Sequence, residues 1–273
     1  MKKLKTYQID AFASEQFTGN PAAVCLLENW LPDAQLQAIA AANNLSETAF
    51  VLPIAPEEGR FALRWFTPTA EVKLCGHATL SAAHVLFMHE LPQLQQVVFQ
   101  TRFSGLLHVT RQGDTYVMDF PLDVGSEISI DSLPRELFVG AQPLSAWKGQ
   151  EDLIVRLPDA EAVADYRPPM ELLATLPYRG LITTAEGQAY GVDFVSRFFG
   201  PAVGVPEDPV TGSAHTSLAA FWAPILGKTH MQARQISWRP GTLGLALTGK
   251  RVALSGKALT FLVGEIWLQE EGG

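Results

Sequence analysis

Gly76-His77-Ala78-Thr79-Leu80-Ser81-Ala82-Ala83 and Gly212-Ser213-Ala214-His215-Thr216-Ser217-Leu218-Ala219-Ala220 share one grammar: a glycine, a first turn of small polar residues, then a body that is apolar almost all round. The first body runs on through Val85, Leu86, Phe87 and Met88, the second through Phe221, Trp222 and Ile225. A helix without a polar face is a buried helix. The two glycines lie 136 positions apart, half of the 273-residue chain. One such helix per half predicts an α+β protein of two similar domains, each a curled, barrel-like mixed β-sheet wrapped around a central α-helix.

Outward from the first helix the flanking sequence is strand-like. Residues 4–12 alternate, 22–27 form an apolar run after the Gly19-Asn20-Pro21 turn, and 48–52 and 61–66 are rich in branched and aromatic residues. Leu36, Ile39 and Ala40 recur at helical spacing between Pro32 and Asn43-Asn44, which predicts a surface helix. The first buried helix is expected over about 77–90. Strands follow at 97–103 and 106–120, the latter turned by Gln112-Gly113-Asp114. Residues 123–134 shift to Gly, Ser, Asp and Pro and read as a linker. The expected domains are therefore 1–122, completed by a C-terminal strand at 258–273, and 123–257. In the second half, strands are expected at 152–157, 180–184 and 189–197, short helices within 159–176, and a helix over 213–226 before β-rich sequence to the end.

Composition narrows the function. Twenty Lys and Arg against 28 Asp and Glu give a net charge of −8, so a nucleic-acid partner would meet general repulsion. The longest apolar run, 218–226, is about half of what crosses a bilayer and contains Pro224, so no membrane partner is expected. Two cysteines, Cys25 and Cys75, without a Cys-x-x-Cys pattern give neither a disulfide framework nor a structural zinc site, and a reducing cytoplasm fits best. Gly244 to Lys250 imitates a phosphate loop, but Arg251 stands where Ser or Thr is required and β-like sequence follows. No dinucleotide fingerprint and no nucleophile elbow is present.

Several residues remain with possible chemistry. A buried helix beginning with Gly, Ser, Thr or His directs backbone N–H groups and the positive end of its dipole at a partner, for which an anion is suited; ordinary capping by Thr211 or Ser213 is the alternative. Glu47, between a helix end and an apolar strand, is placed to be partly desolvated, which raises a carboxyl pKa toward general acid–base use, while an exposed strand-edge role is the alternative. Asp208, just before the second helix, orients a ligand amine or caps its loop. His77 stands in the first turn of its helix; His84, seven residues on, reads as a core histidine. No metal is expected, because beside His77 and His84 there is no His-Glu-x-x-His, no third ligand at helical spacing and no acidic cluster nearby.

Gly19-Asn20-Pro21-Ala22-Ala23-Val24, Ser46-Glu47-Thr48-Ala49-Phe50, Leu63-Arg64-Trp65-Phe66-Thr67-Pro68, Glu71 to Thr79 and Glu207 to His215 together resemble the phenazine-biosynthesis PhzF-like family. The blocks stand in family order and span both halves. The resemblance implies the diaminopimelate-epimerase-like fold with the active site in the cleft between its two domains, a homodimer, and a cofactor-independent isomerase of a small carboxylic acid. It makes Glu47 the group that removes and redelivers a proton and His77, Asp208 and Ser213 the groups that assist. Gly76 and Gly212 would receive the substrate carboxylate, with Asn20 and Thr211 also binding substrate. Epimerases and racemases of this fold use two cysteines; here Cys75 stands at the first position, while the second reads Thr211-Gly212-Ser213. An amino-acid or hydroxy-acid epimerase using Cys75 is the alternative on the same fold, and a catalytically inactive small-molecule binding protein is the alternative of another class.

Overall fold

The computed structural model describes residues 1–269. In chain order the strands are β1 (Lys2–Ala11), β2 (Asn20–Leu26), β3 (Glu47–Ala55), β4 (Arg60–Phe66), β5 (Glu71–Val72), β6 (Gln96–Thr101), β7 (Leu106–Gln112), β8 (Thr115–Pro121), β9 (Ser126–Ile128), β10 (Ser145–Lys148), β11 (Asp152–Arg156), β12 (Gly180–Glu186), β13 (Phe194–Gly200), β14 (Val205–Asp208), β15 (His230–Gln235), β16 (Gly241–Thr248), β17 (Arg251–Gly256) and β18 (Ala258–Leu268). The helices are α1 (Asp33–Asn43), α2 (Gly76–Val85), α3 (Ala160–Asp165), α4 (Met170–Thr175) and α5 (Gly212–Leu226). The chain divides into two compact units, one made of Met1–Asp119 with the chain from Ser255 onward, the other of Phe120–Leu254. Of the C-terminal strand expected at 258–273, residues 270–273 lie outside the described residues.

The first unit is a mixed sheet in which β18 and β2 flank β1 antiparallel, β2 pairs β3 parallel, β3 pairs β4 antiparallel, β4 pairs β6 parallel, and β7 and β8 follow as antiparallel neighbours. The short β5 folds back on the end of β4. Each parallel pair needs a crossover. Helix α1 supplies the first, stopped by Asn44 in the left-handed conformation (φ 51), and α2 supplies the second. Helix α2 packs on β1, β2, β3 and β18 with every residue from His77 to Val85 buried.

The second unit repeats this scheme. Strands β10 and β11 pair antiparallel, β11 and β12 parallel, β12 and β13 antiparallel, β13 and β15 parallel, and β15 and β16 antiparallel, while β14 folds back on β13 as β5 does on β4. Helices α3 and α4 occupy the first crossover and α5 the second. The Trp222 indole stacks on Phe194 and donates to Thr184 Oγ1 (2.9 Å), which fixes α5 against β12 and β13. The half-chain repeat read from the two glycine-led helices is thus a repeat of strand order.

Three expectations need correction. Helix α2 ends at Val85 and continues as a single π turn, Leu86–Glu90, rather than running as one helix to Glu90. Residues 189–193 are not strand: Gln188–Tyr190 is a 3-10 turn closed by Gly191 (φ 69), and β13 begins at Phe194. The linker expected at 123–134 contains β9, which pairs with β10. Helix α5 passes through Pro224, which lies in its last turn. Among the described residues no helix is long and apolar enough to cross a membrane.

Gly19 is one position where the backbone dictates the residue. Its φ is 73, and a Cβ there would lie 2.3 Å from the Ala11 carbonyl oxygen. The clash is with backbone of the paired strand and cannot be relieved by a rotamer. Gly19→Ala is expected to destabilise the protein by about 2 kcal/mol, read as a lower urea midpoint.

Candidate active site

In the first unit the residues singled out from the sequence converge on the start of α2. Glu47 is the first residue of β3 and His77 the second of α2. His77 Nε2 lies 3.1 Å from Glu47 Oε2, and the two side chains are only 7% and 18% exposed. On the other edge of the ring, Nδ1 meets Cys75 Sγ at 3.5 Å and Asn20 Nδ2 at 3.3 Å. Gly76 opens the helix, and its N-cap, Cys75, provides no side-chain cap. The first-turn N–H groups of α2 therefore keep their donor capacity. The buried hydroxyls of Thr79 and Ser81 satisfy themselves on the carbonyls four residues back.

Burial opposes a charged His77, but the neighbouring Cys75 and Glu47 outweigh it and hold its pKa well above the ordinary imidazole value. The Cys75 thiol is pushed up to about 11, by burial first and then by Glu47. Cys25, in β2, is pushed to about 12 by burial, which its hydrogen bonds with Thr6 and Asn43 only partly offset. Glu47, Cys75 and His77 each place one ligand atom within 4.8 Å of the others, a donor set of the kind zinc takes. No third ligand was expected beside the helix; the topology supplies one from the start of β3. The two nitrogens of one ring face the two other donors, so a single ion would compete with a proton on that ring.

In the second unit, Asp208, Thr211, Gly212 and Ser213 gather at the start of α5. Asp208 Oδ2 accepts from Thr211 Oγ1 at 2.6 Å. That interaction takes the Thr211 hydroxyl away from capping, and α5 has no side-chain cap. Capping by Thr211 or Ser213 is therefore not what these residues do. The loop is locked by Gln235, fully buried, whose Oε1 accepts from Thr211 N (2.9 Å) and whose Nε2 donates to the Asp208 carbonyl (2.7 Å). His215 donates from Nδ1 to the Thr211 carbonyl at 2.8 Å, and burial drives its pKa down to about 4. His84 is likewise a neutral core histidine, between Tyr116 OH (2.9 Å) and Thr260 Oγ1 (2.8 Å), with a pKa pushed down to about 4 by burial.

Gln235, Arg179 and Arg197 take part in this region and went unread in the sequence, because each reaches it from a strand or loop distant in the chain. Arg197 forks onto Glu207 (2.7 and 3.1 Å), the residue before Asp208, and its remaining nitrogen donates to the carbonyls of Val163, Ala164 and Tyr166. Arg197→Met leaves the half-buried Glu207 and the Val163 carbonyl without their Arg197 donor, while the Ala164 and Tyr166 carbonyls keep Arg167. It is expected to cost about 3 kcal/mol, measured by urea unfolding.

A family profile for phenazine biosynthesis-like proteins matches residues 9–264. The chain belongs to this PhzC/PhzF family. A Pseudomonas aeruginosa protein named as an uncharacterized isomerase is 48% identical over 269 residues, which is 97% of this chain and 100% of that one. The crystal structure of a PhzF-family protein from Enterococcus faecalis superposes with a TM-score of 0.92 at 43% identity, covering 98% of this chain and 100% of that chain. A hydroxyproline epimerase from Agrobacterium vitis shares the fold alone, with a TM-score of 0.62 at 10% identity over 97% of this chain and 92% of that one. The PhzF and epimerase-like neighbours agree with the α+β architecture of curled mixed sheets expected from the two glycine-led helices.

Proposed function

We propose that this PhzF-family protein is a cofactor-free isomerase that moves a proton on a small carboxylic acid, with Glu47 removing the proton and redelivering it. The observation that carries the reading is the Glu47–His77 pair, 3.1 Å apart and largely out of water, at the uncapped start of α2. A carboxylate lifts a C–H proton beside an acid group when the developing negative charge faces oriented donors. The first-turn N–H groups of α2 are such donors, and Gly76 lets a ligand approach them. His77, holding a proton, supplies a counter-charge 3.1 Å from one carboxylate oxygen of Glu47. Asp208, Thr211, Gly212 and Ser213 are assigned to substrate positioning. The relative from Pseudomonas aeruginosa, named as an isomerase, supports the reaction class. A thiol-based epimerase is disfavoured, because a Cys75 pKa of about 11 leaves little thiolate near neutral pH.

The test is incubation in deuterated water with a panel of small unsaturated, amino and hydroxy acids, followed by mass spectrometry. Uptake of solvent deuterium into one class by the wild-type protein is expected. Tight binding of a panel acid with no exchange at all would replace the isomerase reading with that of a binding protein.

A further inference from the structure

The two units match strand for strand, so positions that follow the same crossover are equivalent. Glu47 opens β3, and Arg179 immediately precedes Gly180, which opens β12. His77 and Ser213 are the second residues of α2 and α5. Where the first unit sets a carboxylate on an imidazole, the second sets a guanidinium on a hydroxyl: Arg179 Nη2 donates to Ser213 Oγ at 3.0 Å.

The guanidinium is held on every side. Its Nε donates to Asp152 Oδ1 at 2.9 Å, Nη2 also donates to Asp152 Oδ2, and Nη1 lies 3.3 Å from Glu151 Oε2. Asp152 is 2% exposed and opens β11, in register with Gly180. The Arg179 guanidinium carbon sits 5.4 Å from the centre of the Phe198 ring. That ring packs so closely on β12 that a Cβ at Gly180 would lie 2.5 Å from it. Two carboxylates already compensate the Arg179 charge, so its output is directional. The Ser213 oxygen accepts from Arg179, while its own proton has no acceptor among the described residues, and Ser213 is exposed.

We propose that Arg179 is a positioning residue that acts through Ser213, turning the serine hydroxyl into a fixed hydrogen-bond donor for an anionic oxygen of the ligand, a carboxylate or the enolate that forms from it. The assignment rests on the isomerase reading for the identity of that ligand, and on the side-chain geometry for the rest. Only a planar fork supplies parallel bonds to Asp152 and a further one to Ser213; a lysine at 179 keeps the charge and loses the geometry.

The experiment has two arms. In the first, kcat and KM for deuterium exchange are measured for Arg179→Lys, Ser213→Ala and the double variant. Arg179→Lys is expected to lower kcat about tenfold, as loss of a charge-assisted hydrogen bond does, with KM changed far less and with no further loss in the Ser213→Ala background. An equal loss in both backgrounds, or none, would overturn the proposal. The second arm needs no turnover. Ser213→Cys introduces a thiol whose ionisation is followed by its absorbance, against Cys25 and Cys75, which burial keeps protonated up to about 12 and 11. The introduced thiol is expected to ionise below the ordinary value of about 8.5. Adding Arg179→Gln should raise its pKa by about half a unit or more, and no change on that addition overturns the proposal. Exchange absent from the wild type with the thiol shift intact would remove the isomerase reading and leave the Arg179–Ser213 assignment standing.

Discussion

Glu47→Gln is expected to lower turnover by about 10²–10⁴-fold, the usual contribution of a positioned general base, while ligand affinity and folding stay close to wild type. Glutamine keeps the shape of the side chain and a hydrogen-bonding oxygen near His77. What it lacks is the basicity of a carboxylate, which takes the proton, and the negative charge that favours a proton on the imidazole. The same substitution should therefore lower the pKa of His77 from its raised position, because burial then acts against the charged ring with less to offset it. Both effects are measurable on one preparation, the rate by deuterium exchange and the titration by NMR of the imidazole protons. A Glu47→Gln protein that turns over at the wild-type rate would end the role given to this residue. A normal rate loss without a His77 shift would mean that the carboxylate is not what charges the ring.

The second large effect is acid destabilisation. His84 and His215 are held near a pKa of about 4 by burial, whereas in the unfolded chain both titrate near the ordinary imidazole value of about 6.5. Below that value the unfolded state takes up protons that the folded state refuses, so stability falls as the pH drops from about 6.5 to about 4 and levels off beneath it. A shift of this size corresponds to about 3 kcal/mol for each ring. Glu90 and Asp193, whose carboxyls lie below their usual range because Lys5 and Lys228 more than offset their burial, add to the acid loss. His77 acts on the other side of neutrality. Its folded pKa is raised, so its contribution is complete below about 6.5 and is lost as the pH climbs through the folded value. Urea midpoints between pH 4 and pH 9 are expected to peak near pH 6–7. His215→Gln should flatten the acid limb. A midpoint that stays level from pH 6.5 to pH 4.5 would contradict the neutral assignment of both rings.

The parts of the fold that were legible in the sequence are those where composition alone forces an outcome. Gly76 and Gly212 lead helices whose apolar bodies cannot face water, so both had to be central, and their spacing announced the repeat. The π turn at Leu86–Glu90 was hidden, because Leu86 and Phe87 are as apolar as the helix before them. The 3-10 turn at Gln188–Tyr190 was hidden by Ala189 and Tyr190, which suit a strand until Gly191 and Asp193 are weighed. At the candidate site, Glu47, His77 and Asn20 could be named from short blocks near one another in the chain. Arg179, Arg197 and Gln235 could not: each reaches the start of α5 or its preceding loop through strand pairing, and their local sequences mark nothing. The grouping of Glu47, Cys75 and His77 is illegible for the same reason, since Glu47 comes to the helix start from a strand.

The pairing of β1 with β18 over ten register positions has a consequence for biosynthesis. The segment Phe120–Leu254 is continuous, so all of it has been made before the last strand leaves the ribosome. The unit that carries Glu47 and His77 is discontinuous, and its strand β1 waits for β18, made after the whole of Phe120–Leu254, to cover its second edge. Until then β1 presents a row of unpaired backbone groups, and the carboxylate–imidazole pair rests on an unfinished sheet. A ribosome that stalls or terminates before residue 258 releases a chain holding every candidate catalytic residue and lacking the strand that closes the unit around two of them. Formation of the finished unit is thereby tied to synthesis through β18.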